Sequence, residues 1–168
     1  MTLLALVLFA TVQGLSIEVE ARCVVDGFTP GERERIVELI RQAAEPDAAL
    51  QTRLEQVGAD CVESRGWAER QGGAFIAFAL GSMLRDEIGP KLGRAGIDSA
   101  WLEAWLARQD DRVRTTPVID AADSERLVLE LHAQGTSMAT IESQSGLIGA
   151  YVSALVMMER ARRGLAFE

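Results

Sequence analysis

Residues 71–84 read Gln-Gly-Gly-Ala-Phe-Ile-Ala-Phe-Ala-Leu-Gly-Ser-Met-Leu, and residues 143–158 read Ser-Gln-Ser-Gly-Leu-Ile-Gly-Ala-Tyr-Val-Ser-Ala-Leu-Val-Met-Met. Neither stretch contains a charged side chain, and apolar residues go all the way round each predicted helix, which indicates central burial. Both are shorter than the roughly 20 residues that a membrane-spanning helix needs. Small residues such as Gly81 and Gly149 allow close approach, so we predict two central helices packed against each other.

Helix start and stop signals divide most of the remaining chain. Thr29-Pro30-Gly31-Glu32 has the form of a capping box with proline at the first helical position. Asp98 is a candidate N-cap, with Ile97 and Leu102 placed as a hydrophobic staple. We therefore predict an all-α fold, a single compact bundle of five to six helices. The expected spans are 30–45, 47–64, 67–88, 98–114, 121–133 and 137–163.

One short segment has a different pattern. From residue 17 to residue 25 the apolar side chains Ile17, Val19, Ala21 and Cys23 alternate with charged ones. Such alternation is typical of a strand, but no second strand pattern follows that could pair with it. We therefore predict an extended lead-in segment before the first helix.

The amino-terminal segment resembles a signal peptide. Residues 1–16 carry no charged side chain, and an apolar run beginning at Leu3 has the length of a signal-peptide core. No Lys or Arg precedes that run, which departs from the usual signal-peptide pattern. We predict a signal peptide over residues 1–21 and a single domain over 22–168, exported to the periplasm or secreted. A buried amino-terminal strand or helix in a cytosolic protein is the alternative. The candidate cleavage sites follow Gly14, Ser16 and Ala21.

Two cysteines, Cys23 and Cys61, lie 38 positions apart. In an exported chain, two cysteines predict one disulfide. Cys61 falls in line with Leu50, Leu54 and Val57 on one helix face, so the bond would fix the segment around Cys23 onto the inner face of that helix. The alternative is two free buried thiols in a reducing compartment.

A faint internal echo indicates a degenerate duplication. Gly73-Ala74-Phe75-Ile76-Ala77 resembles Gly149-Ala150-Tyr151-Val152-Ser153, and three further short segments pair in the same order along the chain. A duplicated helical unit with altered loops would give this pattern over residues 24–95 and 118–165. Chance similarity between short helices would give it equally well.

Charge and composition exclude several classes of function. The chain has 17 basic and 25 acidic residues, and its net charge of −8 disfavours binding to nucleic-acid phosphates. One histidine and two cysteines are too few for a Cys/His zinc site or an iron–sulfur cluster. We therefore predict no metal and no cofactor. His132 ends a predicted helix, where a structural role is expected.

The candidate site residues are few. Trp101 and Trp105 lie one helical turn apart and would anchor a protein partner if they were exposed. Glu142-Ser143, with Gly149-Ala150 downstream, resembles the catalytic Glu-Ser of helical lytic transglycosylases, and Glu63-Ser64 repeats the dipeptide. The spacing is shorter than in that family, and its Gly-Leu-Met-Gln stretch is absent. The resemblance implies a Glu acting as general acid on a glycan.

These observations favour a non-enzymatic helical accessory module that binds protein partners. The alternatives are an envelope glycan-cleaving enzyme with Glu63 or Glu142 as its acid, and a carrier with an apolar cavity between the central helices. An exposed apolar groove without a buried carboxylate would favour the first prediction. A deep cleft around a desolvated glutamate would favour the enzyme.

Overall fold

The computed structural model describes residues 17–42, 44–116 and 119–164, so the first 16 residues of the predicted signal peptide lie outside the described part. Nine helices and no strand occur within these ranges. The all-α prediction is therefore confirmed for the described residues. In chain order the helices are α1 (residues 17–26), α2 (Pro30–Arg41), α3 (Ala48–Arg65), α4 (Glu69–Arg94), α5 (Ser99–Ala107), α6 (Asp111–Thr115), α7 (Ala121–Ala133), α8 (Met138–Ser143) and α9 (Ser145–Arg162).

The two uncharged stretches pack against each other, as predicted, but the close approach expected at Gly149 is wrong, because Gly149 is exposed and a Cβ added there would meet no neighbouring atom within 4 Å. The two stretches lie in α4 and α9, which share the largest helix–helix interface among the elements compared. Gly81 makes this approach close, because a Cβ added there would lie 2.7 Å from Met158 Cγ and 2.9 Å from the Ala154 carbonyl oxygen. The bundle is therefore solid at this crossing.

Helix α4 is longer than the sequence predicted. The expected end at Ile88, before Gly89-Pro90, is wrong, because the helix continues through Pro90 to Arg94. Ile88 and Leu92 are fully buried on either side of the proline, and this packing outweighs the missing backbone donor. The helix ends at Arg94, and Gly96, just after the C-cap, has a φ of +79°, in the left-handed region that favours glycine.

The predicted lead-in segment is also a helix, so the extended prediction for residues 17–25 is wrong. Ile17, Ala21, Val24 and Phe28 are all buried, and their spacing is that of one helical face. This helical period coexists in the sequence with the two-residue alternation. The buried face of α1 explains why the helical period prevails.

Two predicted helices are each divided in two. The expected helix from Asp98 ends at Ala107, and Asp110 caps a separate short helix, α6, by accepting a hydrogen bond from the Val113 amide at 3.0 Å. The expected last helix is interrupted at Gln144, between α8 and α9. These two breaks, together with helix α1, account for the difference between the six expected spans and the nine helices within the described ranges.

The disulfide joins α1 to α3. The two sulfur atoms of Cys23 and Cys61 are 2.15 Å apart, and their Cα atoms are 5.9 Å apart. Cys61 lies on the buried face of α3 with Leu50 and Val57, as its spacing predicted. A hydrogen bond from the Trp67 indole nitrogen to Glu20, at 3.0 Å, holds α1 at a second point.

The segments of the internal echo fall on helices in matching order, α2 with α7, α3 with α8 and α4 with α9. The fourth pair does not correspond in this way, because Val24 lies in α1 and Val118 lies outside the described residues. The duplication therefore stays a prediction. No helix in the described ranges is long and apolar enough to cross a membrane.

Candidate functional site

The two glutamates suggested by the transglycosylase-like dipeptide are both exposed. Glu63 lies in the last turn of α3, and Glu142 lies in the short helix α8. A carboxyl that works as a general acid needs a desolvated setting. Neither side chain has one.

The tryptophan pair divides between core and surface. Trp105 is fully buried, and its indole nitrogen has no hydrogen-bond partner among the described residues. Trp101, one turn earlier, is half-buried and packs against the core. The condition for a partner-binding anchor, exposure, is therefore not met at Trp105.

His132 lies at the end of α7, as predicted. Its side chain is exposed, and Nδ1 is 3.0 Å from the Thr136 carbonyl oxygen. Gly135 follows, with a φ of +98° that ends the helix. This is the setting of a helix-end residue. Within the described ranges, no group of three or more His, Cys, Asp or Glu could hold a metal ion.

Two polar cavities lie side by side and share Arg85 and Met158 in their walls. Their volumes are about 150 and 340 Å³. The smaller is bounded mainly by α5 and α9 and the larger by α1 and α4. Charged side chains of both signs line them, namely Arg85, Glu103, Arg114, Glu159 and Arg162 in the first, and Glu18, Arg22, Asp26, Arg85 and Asp86 in the second.

Most of these charges are bonded to one another. Glu159 accepts from Arg114 and from Arg163, and Arg162 bonds to Glu18 at 3.0 Å while its guanidinium lies 5.1 Å from the centre of the Phe78 ring. Arg85 donates twice to the neighbouring Asp86. The bonded charges form structural junctions between the helices, and of the charged lining residues only Arg22 and Asp26 in the larger cavity have no hydrogen bond or ion pair within the described residues.

Tyr151, next to these junctions, is also engaged internally. Its hydroxyl donates to Glu103 at 2.8 Å, and the residue is 1% exposed. Burial, together with the hydrogen bond to the Glu103 carboxylate, raises the pKa of Tyr151 to about 12. The hydroxyl is thus a fixed donor that joins α9 to α5.

A third cavity is of a different kind. It is an apolar groove of about 140 Å³ between α2, α3 and α4, and polar atoms make almost no contribution to its lining. Ile40 stands at the end of α2 and is 39% exposed, one of the few large apolar side chains that reach solvent in the described part. We call this feature the hairpin groove. Its lining residues are Ile36, Leu39, Ile40, Ala44, Pro46, Leu50, Leu54 and Leu80.

Local interactions fix the two helices that form the groove. Thr29 caps α2 in the predicted capping box with Glu32, and Asp47 caps α3 by accepting from the Leu50 amide at 2.9 Å. Arg35 of α2 pairs with Asp47, and Arg53 of α3 pairs with Glu32 at 3.3 Å. These ion pairs join α2 to α3 beside the groove. The groove can bind an apolar side chain, but it holds no acid, base or nucleophile.

In the sequence, Ile36, Leu39 and Ile40 have the spacing of one helical face, but that pattern is typical of a core-facing helix as well, so it does not reveal the hairpin groove. The distinction depends on whether another helix covers the face. In the described structure none covers it fully.

Neither a family model, nor a curated protein, nor a solved structure matches this chain.

Proposed function

We propose that this protein is a non-enzymatic helical accessory module that binds protein partners through the hairpin groove. The observation that carries the proposal is an apolar groove open to solvent between helices held in place by ion pairs. Grooves of this kind bind the apolar face of a partner helix.

The dimensions of the groove favour a protein partner over a small molecule. Pockets for small ligands have volumes of about 300–1,000 Å³, whereas the hairpin groove has about 140 Å³. That space suits a few anchoring side chains. The solid crossing of α4 and α9 at Gly81 argues against an apolar cavity for a carrier at that point.

We further propose that the protein works in an oxidising compartment, the periplasm or the exterior. The disulfide between Cys23 and Cys61 supports this location, because such bonds persist mainly outside the cytosol. If a signal peptide is removed, cleavage after Gly14 or Ser16 would leave α1 complete. Cleavage after Ala21 would remove Ile17, which is buried, and Glu20, which bonds to Trp67.

Three designed amphipathic peptides test the binding function. They share one apolar helical face and carry Lys, Gln or Glu on the polar face. In ¹⁵N–¹H spectra of the oxidised protein, we expect at least one peptide to shift the amide signals of groove residues. Ile40→Gln should weaken that binding about ten-fold, a loss of about 1.4 kcal/mol.

The matched control is Leu129→Gln, because Leu129 is 59% exposed and lies on α7, away from the groove lining. Its affinity for the peptides should equal that of the unmodified protein. The proposal fails if no peptide shifts the groove signals. It also fails if Ile40→Gln and Leu129→Gln weaken binding equally.

A further inference from the structure

We infer that the partner of the hairpin groove is a basic amphipathic helix, which places large apolar side chains in the groove and Lys or Arg around it. This inference rests on the proposed function and specifies the chemistry of the partner. Three observations carry it: the charges of the hairpin, the way its arginines are used, and the shape of the groove.

The hairpin that forms the groove is acidic. Between Pro30 and Arg65 the chain has eight acidic and five basic residues. Four of the five arginines already form ion pairs: Arg35 with Asp47, Arg41 with Glu38, Arg53 with Glu32 and Arg65 with Glu20. These pairs use up most of the positive charge of the hairpin inside the protein itself.

Negative charge remains on the hairpin surface. Within the described structure, five exposed carboxylates there have no ion pair, against the single guanidinium of Arg33. A surface of this kind attracts a basic partner and repels an acidic one. It also disfavours a second copy of this chain, which would bring the same acidic hairpin surface against itself. The five carboxylates belong to Glu34, Glu45, Glu55, Asp60 and Glu63.

The shape of the groove favours a helix as the bound element. On α2, the groove is lined by Ile36, Leu39 and Ile40, which have the i, i+3, i+4 spacing of a helical ridge. On α3, Leu50 and Leu54 form a second ridge four residues apart. Ile36 and Leu50 are buried, whereas Ile40 is 39% exposed, so a partner helix can place apolar side chains against Ile40 at the open side of the groove, as in other helix-in-groove complexes.

The peptide series described above tests the charge preference. We expect the Lys peptide to bind at least about ten-fold more tightly than the Glu peptide at low salt, with the Gln peptide between them. High salt should narrow the range, because it screens exposed charges. The triple variant Glu34→Gln/Glu45→Gln/Glu55→Gln should weaken the Lys peptide several-fold and leave the Gln peptide unchanged.

A matched triple variant separates the hairpin from the overall charge. Glu125→Gln/Glu130→Gln/Glu142→Gln removes the same charge from α7 and α8, and it should have little effect on any peptide. The inference is wrong if the two triple variants weaken the Lys peptide equally. It is also wrong if the Gln or Glu peptide binds as tightly as the Lys peptide, a result that leaves the proposed function standing.

Sedimentation tests the remaining occupant, a second copy of the chain. We expect a monomer at the concentrations used for binding. A dimer that Ile40→Gln dissociates, and Leu129→Gln does not, would overturn the inference, because the groove would then be covered by another copy. Failure of all three peptides in a monomeric protein would instead overturn the proposed function.

Discussion

The hairpin of α2 and α3 and the carboxyl-terminal region of α6 to α9 use their charges in opposite ways. The carboxyl-terminal region, Asp111 to Arg163, has seven acidic and six basic residues, which is close to neutral. Its central carboxylates each take two or more guanidinium groups: Asp123 pairs with Arg112 and Arg126, and Glu159 pairs chiefly with Arg114 and Arg163. The hairpin has excess carboxylates and an open apolar groove.

The difference indicates where a partner has room to bind. In the carboxyl-terminal region, polar groups bond to one another and stabilise the packing of α6, α7 and α9. In the hairpin, Arg35 and Arg53 form ion pairs between α2 and α3, and the apolar groove between these helices is open to solvent. A region that leaves both apolar surface and charge without internal partners is the better candidate for an interface.

The largest expected effect concerns the disulfide that joins α1 to α3 of the hairpin. Because the disulfide closes a long loop, the variant Cys23→Ser/Cys61→Ala should lower the free energy of unfolding by about 2–4 kcal/mol. Denaturant titration measures the change. Hydrogen exchange should show faster exchange in α1 to α3 than in α6 to α9, since only the former region is linked by the bond.

A reducing agent provides the control for this prediction. It should lower the stability of the unmodified protein to that of the double variant, and it should leave the double variant unchanged. Equal stability of the oxidised protein and the variant would show that the bond does not hold the hairpin. If hydrogen exchange became faster by the same factor in α1 to α3 and in α6 to α9, the expected difference between the two regions would be contradicted.

The next effect compares a buried carboxylate with an exposed one. Asp123 is 1% exposed and accepts from Arg112 at 2.6 Å and from Arg126 at 2.8 Å. Asp123→Asn removes two charge-assisted bonds at a buried site and should cost about 1–3 kcal/mol. Glu38→Gln removes an exposed pair with Arg41 that solvent screens, and it should cost much less. Thermal and denaturant unfolding measure both, and equal costs would contradict the contrast.

The next two variants compare glycines at close helix contacts, Gly81 at the contact with α9 and Gly58 in the hairpin. A Cβ at Gly81 would collide with the Ala154 carbonyl oxygen and Met158 of α9, so Gly81→Ala should destabilise the protein by about 1–3 kcal/mol. A Cβ at Gly58 of α3 would lie 3.1 Å from the flexible end of Ile76. Gly58→Ala should therefore change stability by less than about 1 kcal/mol, because helix propensity offsets the crowding. Denaturant titration of both variants tests the order.

The sequence predicted some parts of this structure better than others. The uncharged stretches around Gly81 and Gly149 predicted the α4–α9 pair, because a helix that is apolar all round has to be central. The in-line spacing of Leu50, Val57 and Cys61 predicted where the disulfide lies. In α1, by contrast, the helical period coincided with a two-residue alternation, and the sequence alone could not decide between them.

The candidate site was less predictable, for a physical reason. The apolar spacing of Ile36, Leu39 and Ile40 is the same whether a neighbouring helix covers this ridge or leaves it open. Coverage depends on how α2, α3 and α4 sit together, and no local pattern encodes that arrangement. The same holds for Trp105, whose burial depends on packing contacts that lie far from it in the chain.

The smallest expected effect is a shift in the pKa of Tyr151, which tests whether its hydroxyl is buried and bonded to Glu103. The chain has one tyrosine, so phenolate absorbance follows Tyr151 alone. Its pKa should be about 12, against an ordinary value of 10.0, because burial and the Glu103 carboxylate both disfavour the phenolate. Glu103→Gln should lower this pKa, and Glu130→Gln should leave it unchanged.

The neutral form of Tyr151 is the one favoured in the folded state, so its stabilising contribution is complete below pH 10 and is lost as the pH rises through the folded pKa. Circular dichroism recorded in parallel separates titration of the folded protein from unfolding. A titration midpoint of Tyr151 near pH 10, with the helices intact, would mean that Tyr151 is open to solvent. The polar groups around α9 would then not be bonded internally, and the contrast with the hairpin would fail.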